Sequence, residues 1–133
     1  MGAYKRKFWR FIVIKIIIAG SRDFDNYIYA ETKLLSYFKE NGIHSTDIEI
    51  ISGGARGADK IGEKFANRYG VKLTVFPAQW DKYGKSAGYR RNKEMVDIAS
   101  AAICFWNGKS KGTKHTIDLC KEKGIPVKVV RYE

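Results

Sequence analysis

The chain has 133 residues, 44% of them apolar and 29% charged, which is the size and make-up of one soluble globular domain with a core that needs no covalent staples. Its two cysteines, Cys104 and Cys120, have no partners at ligand spacing, which argues against a disulfide framework or a zinc site. With 25 Lys and Arg against 14 Asp and Glu, the formal net charge is +11, a balance that favours an anionic partner: a nucleotide, a nucleic acid or a phosphate-rich surface.

At the N-terminus Lys5, Arg6 and Lys7 precede an apolar stretch from Phe8 to Ala19 with the outline of a secretory signal. Arg10 and Lys15 interrupt it, the following Gly20-Ser21-Arg22-Asp23-Phe24 does not resemble a cleavage site, and the run is too short to span a bilayer. Residues 1–11 therefore read as a basic arm and 12–133 as a single domain, expected to be cytoplasmic and without a membrane partner.

Ile12 to Ala19 is predicted as a strand, nearly all apolar as a central parallel strand is. Asn26 to Asn41 reads as a helix, with Ile28, Glu31, Leu34, Leu35 and Phe38 at roughly helical spacing and Gly42 as its stop. Asp47 to Ile51 reads as a second strand. Ala58 to Tyr69 is the clearest helix: Ala58, Ile61, Gly62, Phe65, Ala66 and Tyr69 form one face, and Gly70 ends it. Val71 to Phe76 is a third strand closed by Pro77, and 78–87 a polar loop carrying Trp80 and Tyr83. Gly88 to Ala99 reads as a third helix with Met95, Val96 and Ala99 inward. Ala101 to Trp106 is a fourth strand, Asn107 to Gly112 a loop, Thr113 to Lys123 a fourth helix ended by Gly124, and Pro126 to Val130 the last strand. Cys104 and Cys120 fall on apolar positions, as small buried hydrophobes do.

This βαβαβαβαβ order implies an α/β fold: a Rossmann-like, doubly wound parallel sheet of about five strands, order 3-2-1-4-5, with helices on both faces. Ligands of such sheets sit at the carboxyl ends of the strands, where the order reverses between the first and fourth. That rule selects the loops after strands one, two and four. In the first, Gly20 permits close backbone approach, Ser21 offers a hydroxyl and Arg22 a forked donor suited to phosphate. The second, Ser52-Gly53-Gly54-Ala55-Arg56-Gly57-Ala58-Asp59, runs three glycines into a helix, so that its N–H groups are expected to point at an anion. It is neither a Walker A loop nor G-x-G-x-x-G. Asp59 is read as a helix cap or a ribose ligand, with capping slightly favoured. The third, Asn107-Gly108-Lys109-Ser110-Lys111-Gly112-Thr113, places Thr113 to cap the helix or hold phosphate. A fourth element, Gly88-Tyr89-Arg90-Arg91-Asn92-Lys93-Glu94-Met95, opens the third helix with two arginines and an asparagine.

Taken together, IIIAGSRDF, ISGGARGAD, GYRRNKEM and GKSKGTKH resemble the SLOG superfamily, a Rossmann-like group, and within it the small YspA-like branch, over nearly the whole chain from Ile12 to Val130. Other members include the Lonely Guy phosphoribohydrolases, the DNA-processing protein A and sensor domains for nucleotide-derived signals. In the Lonely Guy enzymes an R-K-x-x-M motif supplies a catalytic arginine. The matching stretch is Arg91-Asn92-Lys93-Glu94-Met95, so the resemblance implies that role for Arg91 if the chain is an enzyme. Their P-G-G-x-G-T-x-x-E motif binds phosphate and supplies a catalytic glutamate. Here Gly112 and Thr113 keep the Gly-Thr pair, while Thr116 stands at the glutamate position and cannot serve as its acid or base.

The expected function is binding of a nucleotide or nucleotide-derived phosphate ligand, as a sensor module, through Gly20, Ser21, Arg22, Ser52, Gly53, Gly54, Arg56, Gly57, Asp59, Arg91, Asn92, Gly108, Ser110, Gly112 and Thr113. One alternative is nucleoside 5′-monophosphate phosphoribohydrolase activity. Another is single-stranded nucleic-acid binding, with Trp80, Tyr83 and Trp106 as stacking groups. No metal and no resident cofactor are expected, and the relatives make a homodimer an expected assembly. His115 is read as a polar helix residue near the loop, eligible for proton transfer by its ordinary pKa, and His44 as a turn residue without a partner.

Overall fold

A computed structural model describes residues 13–132. The basic arm read over 1–11, and Ile12 at the start of the expected first strand, lie outside the described residues. In chain order the elements are β1 (Ile14–Gly20), α1 (Tyr27–Glu40), β2 (Ile48–Ser52), α2 (Ala58–Tyr69), β3 (Lys72–Val75), the single-turn α3 (Trp80–Tyr83), α4 (Ala87–Ile98), β4 (Ala101–Trp106), α5 (Lys111–Lys123) and β5 (Val127–Arg131). The strands form one five-stranded sheet, order β3-β2-β1-β4-β5, with every pair parallel. The expected topology and strand order are therefore those of the molecule.

The central strand shows why. Side chains alternate across a strand, and β1 is apolar at both parities. Ile14, Ile16 and Ile18 enter one core with Leu34 and Phe38 of α1 and Phe65 of α2. Ile17 and Ala19 enter the other with Met95 of α4 and Ile117 and Cys120 of α5. A strand buried on both faces requires helices on both, and burying each Ile stabilises the fold by about 1.5–3 kcal/mol. Cys104 and Cys120 are both buried and free.

Several boundaries and faces differ from expectation. The inner stripe of α1 is Ala30, Leu34 and Phe38, whereas Ile28 is 80% exposed and Leu35 is exposed as well. Ile28 precedes Ala30 by two positions, about 200° around a helix, so the two cannot share a face. Asn26 caps this helix, its side chain accepting from the Tyr29 N–H at 3.1 Å. Asp47 belongs to a 3₁₀ turn over Ser45–Asp47, and β2 starts one residue later. Helix α2 has the expected bounds and ends at Gly70 in the left-handed conformation, though Tyr69 at its end is exposed. The stretch expected as a polar loop over 78–87 contains α3 and a 3₁₀ turn over Gly84–Ser86. No helix among the described residues is long and apolar enough to cross a membrane.

Candidate functional site

The carboxyl ends of β1, β2 and β4 meet at one edge of the sheet, and hydrogen bonds lock their loops together. Gly20 ends β1 where a Cβ would lie 2.1 Å from the Phe105 carbonyl oxygen, so the backbones of β1 and β4 approach there without a side chain between them. Ser21 N–H donates to that same carbonyl at 2.9 Å. The Ser21 hydroxyl accepts from Asn107 N–H at 3.2 Å, and its carbonyl accepts from Phe24 and Ala58 at 3.2 and 3.4 Å. One buried residue thus ties the first loop to the third and to the start of α2. Gly57, with φ of 82°, completes this junction: a Cβ there would sit 2.4 Å from the Ser21 carbonyl oxygen. Gly57→Ala is expected to destabilise the protein by about 2–3 kcal/mol, combining backbone strain with displacement of the first loop. A urea midpoint equal to that of the unaltered protein would show that the loops are not interlocked.

The glycine-rich second loop does not present its amides as expected. Gly54 N–H donates to the Ser52 hydroxyl at 3.1 Å, and Ala55 N–H to Asp59 Oδ2 at 3.1 Å. The Ser52 hydroxyl in turn donates to Glu63 at 2.8 Å. Two amides expected to face an anion are therefore satisfied within the loop. Gly57 is the N-cap of α2. Asp59 lies inside the helix and turns its carboxylate back onto the loop, so it braces the loop and does not cap the helix.

Positive side chains take over where the amides are engaged. Arg91, in the first part of α4, donates through Nη1 to the Gly53 carbonyl and through Nε to Asn92 Oδ1 at 2.9 Å. Buried Asn92 reaches on to the α5 start, with Nδ2 3.4 Å from the Gly112 carbonyl and 3.3 Å from His115 Nδ1. A Cβ on Gly53 would lie 2.7 Å from Arg91 Nη1 and 2.8 Å from Asp59 Oδ2, so guanidinium and carboxylate flank that glycine and depend on its bareness. In the third loop Asn107 Oδ1 accepts from Lys109 and Ser110 N–H at 2.8 and 2.9 Å. Ser110, not Thr113, caps α5, accepting from Thr113 N–H at 3.3 Å. Thr113 lies within the first turn, buried, its hydroxyl 3.0 Å from that of Ser110.

Three adjoining clefts result. The innermost is a niche of about 90 Å³ walled by Gly20, Arg22, Asp59, Arg91, Asn92, Ser110, Gly112 and Thr113, with Ala19, Ala55, Met95 and Thr116 completing it. It suits one ionic group, whereas whole ligands need about 300–1,000 Å³. It opens past Arg22 into an outer cleft of about 680 Å³ bordered by Ser21, Asp23, Arg56 and Asn107. On its other side Arg22 and Arg91 also border a cleft of about 370 Å³ with Gly53, Gly54, Arg56 and Trp80. Three expected site residues line none of the three: Ser52 is an internal brace, Gly57 packs under Ser21, and Gly108 faces the Arg131 guanidinium. Ala19, Asp23, Ala55, Pro77, Ala78, Met95, Asn107 and Thr116 also line the clefts and are not among the predicted site residues. The apolar ones carry no chemical signal in a sequence, so only the topology could have found them, whereas Asp23 and Asn107 lie within the selected loops.

The niche is an unusual place for its charges. Burial pushes the Asp59 carboxyl up to about 6, against the Ala55 N–H and the Arg91 charge, which stabilise the anion. Burial likewise holds the Arg91 guanidinium below its ordinary value; Asp59 opposes that shift and the charge of Arg22 adds to it. Two guanidiniums thus stand in one niche with a single carboxyl and with solvent-poor surroundings for Arg91. His115 lies outside the clefts, its ring packed against Tyr89 with centroids 4.4 Å apart and planes tilted by 50°, and burial lowers its pKa. Of the aromatics expected to be exposed, Trp80 is, at 50%. Tyr83 lies half-buried under Arg90, and half-buried Trp106 donates from Nε1 to the Ser110 carbonyl at 3.0 Å. Among the described residues no three His, Cys, Asp or Glu side chains gather as metal ligands do.

A five-stranded parallel sheet in this order, with interlocked loops gathering guanidiniums at its switch point, defines a Rossmann-like α/β protein. Within that class the chain belongs to the YspA, cpYpsA-related SLOG family, whose sequence model matches residues 14–83. It is 40% identical over 84 residues to the Gene 61 protein of Mycobacterium phage D29, an alignment covering 59% of this chain and 67% of the phage protein. No solved structure gives a significant match. The family match runs from β1 to α3, so the assignment of Arg91, Asn92, Gly112 and Thr113 to the site rests on geometry.

Proposed function

We propose that the protein binds a nucleotide or nucleotide-derived phosphate ligand at the carboxyl edge of the sheet, as a sensor module. In this reading the phosphate enters the niche between Arg22 and Arg91. The observation that supports it best is the charge arrangement there: the half-buried Arg91 guanidinium and the exposed Arg22 border one small niche with Asp59 as its only carboxyl, and an anion between the two arginines offsets both their repulsion and the burial of Arg91. Membership of the SLOG family is consistent with a nucleotide-related ligand.

A thermal-shift panel of nucleoside mono-, di- and triphosphates, cyclic and ADP-ribose-type ligands, and a short single-stranded DNA tests this. A small phosphate ligand at about 100 times its Kd adds roughly 2.7 kcal/mol, which raises the melting temperature by several degrees in a domain of this size. If DNA alone shifts the melting, and the shift vanishes between about 50 and 200 mM salt, the basic surface and not the niche is the functional feature.

N-glycosidic hydrolysis of a nucleoside 5′-monophosphate is the second reading. The feature favouring it is Asp59, a carboxyl in the niche wall whose pKa of about 6 suits proton transfer near neutrality. Thr116, buried with its hydroxyl 3.4 Å from the Gly112 carbonyl, supplies no such group. Release of free base that disappears in Asp59→Asn and in Arg91→Ala would establish it.

A further inference from the structure

Trp80 is half-exposed, yet it is not a loose surface side chain. It opens α3, and the tip of its ring rests against the first turn of α4. A Cβ on Gly88 would lie 3.4 Å from Trp80 Cη2 and 3.9 Å from Arg91 Nη2. The indole therefore lines the same cleft as the guanidinium that reaches Gly53. An exposed large aromatic held in this way, away from both hydrophobic cores, calls for an explanation other than packing.

The cleft it lines also contains Pro77 and Ala78, and Gly53 and Gly54, which bring no side chains into it. A Cβ on Gly54 would point at Val75. Arg22 and Arg91 are shared with the niche, and Arg56 borders this cleft and the outer one. An indole, bare peptide and small residues, closed by cations, match a flat aromatic ring attached to a phosphate. No carboxylate or side-chain amide lines this cleft, so it has few side-chain groups with which to read the edge of a base.

We propose that this cleft is a base subsite: a nucleobase stacks on Trp80 while its 5′-phosphate lies between Arg22 and Arg91. The assignment rests on the nucleotide reading above and adds to it the ring site and its selectivity. Stacking tolerates every base because each has a π-face, so the subsite accepts purines and pyrimidines alike, purines more tightly through their larger overlap.

The test is titration of the full chain with AMP, UMP and ribose 5-phosphate, repeated on Trp80→Ala and Trp80→Phe. Trp80→Ala is expected to weaken AMP by about 10–100-fold, the range that loss of one base–aromatic stack produces. Ribose 5-phosphate is expected to keep its affinity within about twofold, and Trp80→Phe to restore most of the loss for AMP. UMP is expected to bind the unaltered chain, more weakly than AMP. Equal losses for AMP and ribose 5-phosphate, or no loss for AMP, would overturn the subsite and leave the phosphate niche standing. Failure of the unaltered chain to bind any of the three would overturn the niche and the subsite together. Should Trp80→Ala fail to fold by circular dichroism, the Trp80→Phe and ribose 5-phosphate arms decide: AMP binding no tighter than ribose 5-phosphate overturns the stack.

Discussion

Arg91→Ala is expected to lower affinity for a phosphate ligand by about 100-fold or more, the loss that follows when a partly buried, charge-assisted, forked contact is removed. The reason lies in how this guanidinium is held. It is half-buried, and with Nη1 committed to the Gly53 carbonyl and Nε to Asn92 the side chain is already oriented, so a ligand has little left to order there. Arg22, by contrast, is exposed and has yet to be ordered by the ligand, so Arg22→Ala should cost several times less. Arg91→Lys should not rescue, because an ammonium keeps the charge and loses the fork that reaches Gly53 and Asn92 together. Calorimetric titration of a binding ligand against the three variants checks this. Binding by Arg91→Ala within about threefold of the unaltered protein would move the anion site out of the niche.

The second large effect concerns Asp59 and pH. Its carboxyl is raised from 3.8 to about 6 in the folded protein, so between those values the folded state holds a proton that the unfolded state has released. Stability from this group is therefore greatest at low pH, falls as pH rises from about 4 to about 6, and is level above, a total of about 3 kcal/mol for a shift of this size. Asn cannot ionise and still offers Oδ1 to the Ala55 N–H. Asp59→Asn is expected to remove that slope and to leave the variant more stable than the parent by about 2–3 kcal/mol at pH 7. Urea unfolding from pH 4 to 8 gives the measurement, on ligand-free protein because a phosphate titrates over the same range. Parallel curves for parent and variant would mean that Asp59 is an ordinary ionised partner of Arg91. A variant with flat stability and no base release would also show that the carboxyl does proton work in exchange for stability, if the hydrolytic reading holds.

Much of the fold is legible in the sequence because its signals are redundant. The apolar run of β1 at both parities, the 3.6-residue face of α2 and the glycine closing it each point to the same doubly wound sheet. What escaped had only local or weak signals. Trp80-Asp81-Lys82-Tyr83 is one turn, too short for any period to register, and it forms because the chain must fold back from β3 onto α4. The α5 cap moved to Ser110 because Asn107 folds the preceding residues into a turn through its own side chain, which a capping rule applied to Thr113 does not see. In the site, the topology rule brought the three loops to one edge, but their internal bonding was hidden. A glycine-rich sequence announces amides free to bind an anion; Ser52 and Asp59 had already taken those of Gly54 and Ala55. That Arg91 and Asp59, distant in sequence, flank Gly53 is visible only once α2 and α4 have packed on opposite faces of the sheet.

The knot of bonds around Ser21 has a consequence for any signal this protein carries. With its hydroxyl and carbonyl joining the first loop to the third loop and to α2, the backbone around the niche is set in advance, and in the proposed binding the Arg22 side chain is the main part left to order. A dianion that docks there leaves the outline of this edge as it was but cancels much of its positive field, over the roughly 8 Å that physiological salt allows such a field to reach. On the proposed reading, occupancy changes the electrostatic potential of this edge rather than its shape, and a partner that reads it would do so at close range and through charge.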